Sequence, residues 1–164
     1  MDAMMKALLT TMAVHRDYVQ KLVADVPEAE MVSQPVPGVV MNHPAWTLGH
    51  LLPYCSTVAA MVRGQPFPDP ATSPFAKGSA PSTDAGVYPR KAELLAAFLA
   101  AHDDAAAAIE SADVGVMSRP IPLERWKTRF PTIGDAVVYL MTSHEATHLG
   151  QVSAWRRAGK RPAV

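Results

Sequence analysis

The sequence predicts an all-α fold, a four-helix bundle, and three observations predict it. Fifteen prolines are present, and they gather at 27–44, 66–89 and 120–131. They leave four stretches free for helix, roughly 2–26, 45–65, 90–117 and 132–158. Proline lacks the N–H that a helix interior needs and clashes with the preceding turn, so helices fall between the clusters. Within the stretches, apolar residues recur at spacings of three, four and seven, which places them on one helical face. No stretch alternates with the two-residue period of a half-buried strand. Long loops at about 27–44 and 66–89 suit a bundle with long connections.

The first stretch carries Leu8, Met12, Val19, Leu22 and Val26 on one face. Its N-terminal part, MDAMMKALLTTMAVHRD, lacks a clear cleavage site and reads as this helix rather than a signal peptide. The second begins at Asn42-His43-Pro44, a cap followed by proline at the first helical position. Pro53 lies inside it, and a local kink is expected beside His50. The third has Leu95, Phe98, Leu99 and Ile109 in an alanine-rich run. The fourth opens on Thr132 as N-cap, with Asp135 three residues on, and closes at Gly159. Its stripe is Ile133, Val137, Met141, Val152 and Trp155. The 66–89 connection holds Phe67, Phe75, Tyr88 and six prolines, so it is expected to pack over the bundle.

Composition narrows the function. The 164 residues are read as a single domain, 1–164. They are 49% hydrophobic and 18% charged, a globular composition. Fifteen Lys+Arg balance fifteen Asp+Glu, so no nucleic-acid partner is expected. No apolar run of ~18 residues occurs, so no membrane span is expected, and the cytoplasm is the default compartment. Cys55 is the single cysteine, which excludes an internal disulfide and a multi-cysteine zinc site. It reads as a buried structural thiol.

The fourth stretch contains His144-Glu145-Ala146-Thr147-His148. Histidines at i and i+4 share a helix face one turn apart, so both rings can reach one ion at ~2.0–2.1 Å. This face continues the stripe Val137, Met141, Val152, and buried imidazoles need partners. A third ligand is wanted. His15, His43, His50, His102, the acids and Cys55 are all candidates, and periodicity does not choose among them. The H-E-x-x-H pattern of zinc peptidases is incomplete. No His, Asp, Glu or Cys occurs over 149–164, and Gln151 and Ala154 stand where the extended pattern has Gly and His.

Two blocks carry a resemblance: Asn42-His43-Pro44-Ala45-Trp46-Thr47-Leu48-Gly49-His50-Leu51, and His144-Glu145-Ala146-Thr147-His148-Leu149-Gly150-Gln151 followed by Trp155-Arg156-Arg157. Together, and by their separation, they resemble the DinB-like superfamily. The resemblance implies a four-helix bundle, commonly a homodimer. It implies a divalent metal, nickel or zinc, on three histidines that map to His50, His144 and His148. It also implies an enzyme with a small-molecule substrate, such as a transferase using a low-molecular-weight thiol as cosubstrate, or a hydrolase. A non-catalytic bundle that binds a metal or small ligand is the alternative. Coordination favours loss of a proton from a thiol or a water, so one site suits both reactions. Glu145 is the candidate catalytic acid/base group, and Gln151 could support His148. Trp46 and Tyr54 flank His50 and could line a pocket. Arg63, Arg125 and Arg129 are available to an acidic cosubstrate, although exposed arginines are commonly just solvated. Met4, Met5 and Met31 read as exposed apolar residues that would suit a dimer face.

Overall fold

The computed structural model describes residues 3–164. Helix α1 is Ala3–Ala24, α2 is Pro44–Arg63 and α3 is Lys91–Glu110. A short α4, Val114–Met117, follows α3 after a break at Ser111. Helices α5, Ile133–Tyr139, and α6, Glu145–Ala158, are joined by a π turn over Leu140–His144. The stretch read as one regular helix is therefore a continuous rod with a wider turn in its middle. No strand occurs among the described residues, and a lone bridge pairs Pro120 with Thr132.

The long helices form a four-helix bundle. Helix α3 packs against α1 and α2, and α6 packs against the same two. Helices α1 and α2 are thus diagonal, as are α3 and the α5–α6 rod. Diagonal neighbours cannot be joined by a tight turn, which explains the long connections 25–43 and 111–132. The 66–89 connection joins adjacent helices, so its length serves something else: it lies back along α2.

Local chemistry fixes the helix ends. His43 caps α2, its Nδ1 accepting the Trp46 N–H at 3.2 Å, and Pro44 occupies the first turn. Helix α2 runs through Pro53 without ending and stops at Gly64, whose φ of 68° is left-handed. Thr132 and Asp135 form a reciprocal capping box at the start of α5. At the other end Gly159 closes α6 with an ordinary φ of −81°, and Lys160 takes the left-handed turn at 58°.

The apolar stripes meet in one core that includes Leu22, Val58, Phe98, Ile109, Ala136 and Val137. Each of the valine, leucine, isoleucine and phenylalanine side chains among them stabilises by about 1.5–3 kcal/mol through burial. Cys55 is buried, and burial pushes its thiol well above the ordinary range. Arg156 is buried as well, donating to the Leu22 carbonyl at 2.8 Å and the Pro162 carbonyl at 2.9 Å and pairing with Asp25. The expectation of three exposed methionines needs correcting. Met4 is exposed, but Met31 is buried, because the turn after Glu28–Glu30 folds it under the start of α2, where its carbonyl accepts the Ala45 N–H at 3.0 Å. No helix among the described residues is long and apolar enough to cross a membrane.

Candidate metal centre

Helix α2, the π turn and α6 bring three histidines together. His50, His144 and His148 each present one ring nitrogen, and these atoms lie within 4.8 Å of one another. Nε2 of His50 and Nε2 of His144 are 3.2 Å apart. Two nitrogens on one tetrahedral ion at ~2.0–2.1 Å are separated by roughly 3.3 Å, so this spacing suits a shared ion. His144 is the last residue of the π turn. A π turn inserts extra backbone into a helix and re-aims the side chains beside it, and such turns are frequent at functional sites.

The orientation of His50 is set by the 66–89 connection. Its Nδ1 donates to the Phe75 carbonyl at 2.6 Å, which leaves the Nε2 lone pair facing the other two histidines. Trp46 stacks on the same ring at 4.8 Å, nearly parallel. The connection is tied to α2 at three points one turn apart: His43 Nε2 donates to the Ser82 carbonyl at 2.9 Å, Trp46 Nε1 to Ser79 Oγ at 3.0 Å, and His50 to Phe75. Gly49 lets Phe75 come close. A Cβ there would sit 2.7 Å from Phe75 Cδ2.

All three imidazoles are held neutral. Burial lowers His50, against the opposing pull of the Phe75 carbonyl. Burial, then repulsion from His148, His50 and Arg129, takes His144 down to about 3. Burial and His50 take His148 down to about 4, with a contact from Gln151 working the other way. Gln151 also accepts a hydrogen bond from Asn42 Nδ2 at 2.9 Å, tying the two sequence blocks together. Nδ1 of His144 and Nδ1 of His148 are buried without hydrogen-bond partners. Neutral imidazoles whose ring nitrogens converge in this way are the donor set that a divalent ion takes.

The histidines open onto a cavity of about 590 Å³. Trp46, Tyr54, Trp126, Phe130 and Tyr139 supply apolar walls. Tyr54 lies 4.6 Å from the His144 ring and stacks on Trp126 at 6.4 Å. Burial raises the Tyr54 phenol, so it stays protonated at neutral pH.

Glu145 faces elsewhere. It is buried, with Oε2 3.2 Å from His15 Nδ1 and Oε1 3.3 Å from His102 Nε2, the second contact being poorly aligned for a hydrogen bond. Burial pushes its carboxyl up, but His102 and His15 together outweigh this and hold it below the usual range. It is not among the residues that line the cavity. The remaining ligand candidates are therefore placed: His15 and His102 serve Glu145, His43 caps α2, and Cys55 is enclosed in the core.

The family model for the DinB superfamily matches residues 11–152 of this sequence. The chain belongs to the DinB superfamily. Among curated proteins nothing matches it. For this DinB-superfamily chain the resemblance that selected His50 agrees with the geometry, which groups His50 with His144 and His148. Sequence reasoning missed Phe75 as the residue that orients His50. The available signal was Gly49, a glycine inside a helix beside a candidate ligand.

Proposed function

We propose that this protein is a metal-dependent enzyme that joins a low-molecular-weight thiol to a small electrophile. His50, His144 and His148 would hold the divalent ion, nickel or zinc. The observation that carries the reading is the convergence of their ring nitrogens within 4.8 Å, at a cavity large enough for a small substrate. When bound, such an ion supplies Lewis acidity that lowers the pKa of a coordinated thiol or water.

The chain's own residues do the rest. The Phe75 carbonyl fixes the proton on His50 Nδ1 and keeps Nε2 free as a donor. Burial and mutual repulsion keep His144 and His148 unprotonated. The Tyr54 hydroxyl, protonated beside His144, can donate a hydrogen bond to negative charge that develops on the electrophile. Glu145 enters as a positioning residue, its carboxylate pinning the helix at His144 to His15 and His102 across the core.

The test is thiol-dependent consumption of monochlorobimane, in which the thiol sulfur forms a bond to the bimane carbon and chloride leaves. Turnover should require added zinc or nickel and stop with a chelator. A protein that binds metal stoichiometrically yet turns over neither this electrophile nor ester substrates would be a non-catalytic metal-binding bundle instead.

A further inference from the structure

The charges around the cavity are unbalanced in one direction. Lys77, Arg125 and Arg129 line it, and no acidic residue does among the described residues. Arg125 is spent: both its Nε and Nη2 donate to Asp69 in the 66–89 connection. Arg63, the other candidate cation, is also spent, forming a two-point pair with Asp104 away from the cavity. Arg129 has no carboxylate partner among the described residues. Instead its guanidinium carbon sits 4.3 Å from the centre of the Tyr139 ring and 5.2 Å from that of Phe130. Tyr139 in turn reaches the His144 ring at 6.1 Å, and the guanidinium is near enough to disfavour a proton on His144.

Arg129 is exposed to solvent, yet it rests against two rings that line the cavity. Contact with two rings restrains this guanidinium and so reduces the entropy lost when its fork of donors meets a planar acid. The three metal-ligand candidates are neutral, so a divalent ion there would keep its full charge and add to the same field. An anion entering the cavity would meet no repelling carboxylate and two unpaired cations.

We propose that the cavity selects a small molecule carrying a carboxylate, and that Arg129 receives that carboxylate while the reacting group lies at the histidines. This rests on the cavity being the substrate site. Arg129 is a specificity residue here and not a metal ligand.

The experiment uses two thiols of similar size, mercaptosuccinate and uncharged 1-thioglycerol, with the full chain. Binding is read by quenching of tryptophan fluorescence in metal-free protein, and by the thiolate-to-cobalt absorption band in cobalt-loaded protein. Wild type should bind mercaptosuccinate at least tenfold more tightly than thioglycerol. Arg129→Gln should lose that preference, with unchanged thioglycerol affinity and unchanged cobalt content, and Arg129→Lys should restore it in part. Equal affinity of wild type for the two thiols would overturn the proposal. So would a preference that survives in Arg129→Gln. Failure of the metal reading would look different: cobalt would not be taken up and neither thiol would give the band, while fluorescence would still decide whether the carboxylate is preferred.

Discussion

Replacing Gly49 by Ala should loosen metal binding without touching a ligand. The added Cβ would meet Phe75 Cδ2 at 2.7 Å, where carbon atoms normally rest at ~3.5–4.0 Å, so the ring must retreat by roughly an ångström. The ring is also stacked on Tyr88, with centroids 5.0 Å apart, which restricts its retreat and passes the shift to the Phe75 backbone. Its carbonyl now sits 2.6 Å from His50 Nδ1. A displacement of that size takes the pair to the edge of hydrogen-bond range. Losing the outer partner of a ligating histidine costs about 10–100-fold in metal affinity. Overpacking adds about 1–3 kcal/mol of instability. The assay is competition for zinc against a chromophoric chelator, with melting of the metal-free protein followed by circular dichroism. Gly150→Ala is the internal control, since a Cβ there meets nothing within 4 Å. It should leave zinc affinity unchanged and stabilise α6 by a few tenths to ~1 kcal/mol. If Gly49→Ala binds zinc within twofold of wild type, the role given to the Phe75 carbonyl is wrong.

Other consequences concern stability. Arg156→Ala removes the donor for the Leu22 and Pro162 carbonyls and the partner of Asp25. The lost hydrogen bonds and packing should cost about 2–3 kcal/mol, seen as a fall in Tm of roughly 4–12 °C; an unchanged Tm would refute the anchoring role. The metal-free protein should lose stability as pH drops. Its His148 and His144 stay neutral down to about 4 and about 3, whereas an unfolded imidazole protonates near 6.5. The unfolded chain therefore binds more protons between those values, and the limiting slope is ~1.4 kcal/mol per pH unit for each ring, reduced by partial exposure. Urea midpoints measured in chelator at pH 7 and pH 5 check this, and His148→Gln should flatten the drop. Equal midpoints at the two pH values for the unmodified chain would show that the rings are not held neutral by the fold.

Much of this was legible in the chain itself. The proline clusters marked the helix ends because proline's missing N–H is a local property, and they placed α2 and the start of α5 to within a residue or two. The H-x-x-x-H spacing put His144 and His148 on one face for the same reason. The choice of His50 over His15, His43 and His102 was not local. It depends on which helices are adjacent, and only the family resemblance supplied it. The π turn was also hidden, since nothing in Leu140–His144 distinguishes it from regular helix. That turn changes the phase between α5 and α6, and Glu145 is found buried against His15 and His102. The fate of the three arginines was equally invisible. Arg63 and Arg125 find acids 41 and 56 residues away in sequence, and Arg129 finds rings instead.

The central claim is that His50, His144 and His148 hold one divalent ion. It is tested most directly by elemental analysis of untagged protein purified without chelator, beside the His148→Ala variant. The account predicts about one zinc or nickel per chain in the wild type, and loss of that metal from a folded variant. Absence of metal even after incubation with zinc and nickel, or full occupancy in His148→Ala, would contradict it.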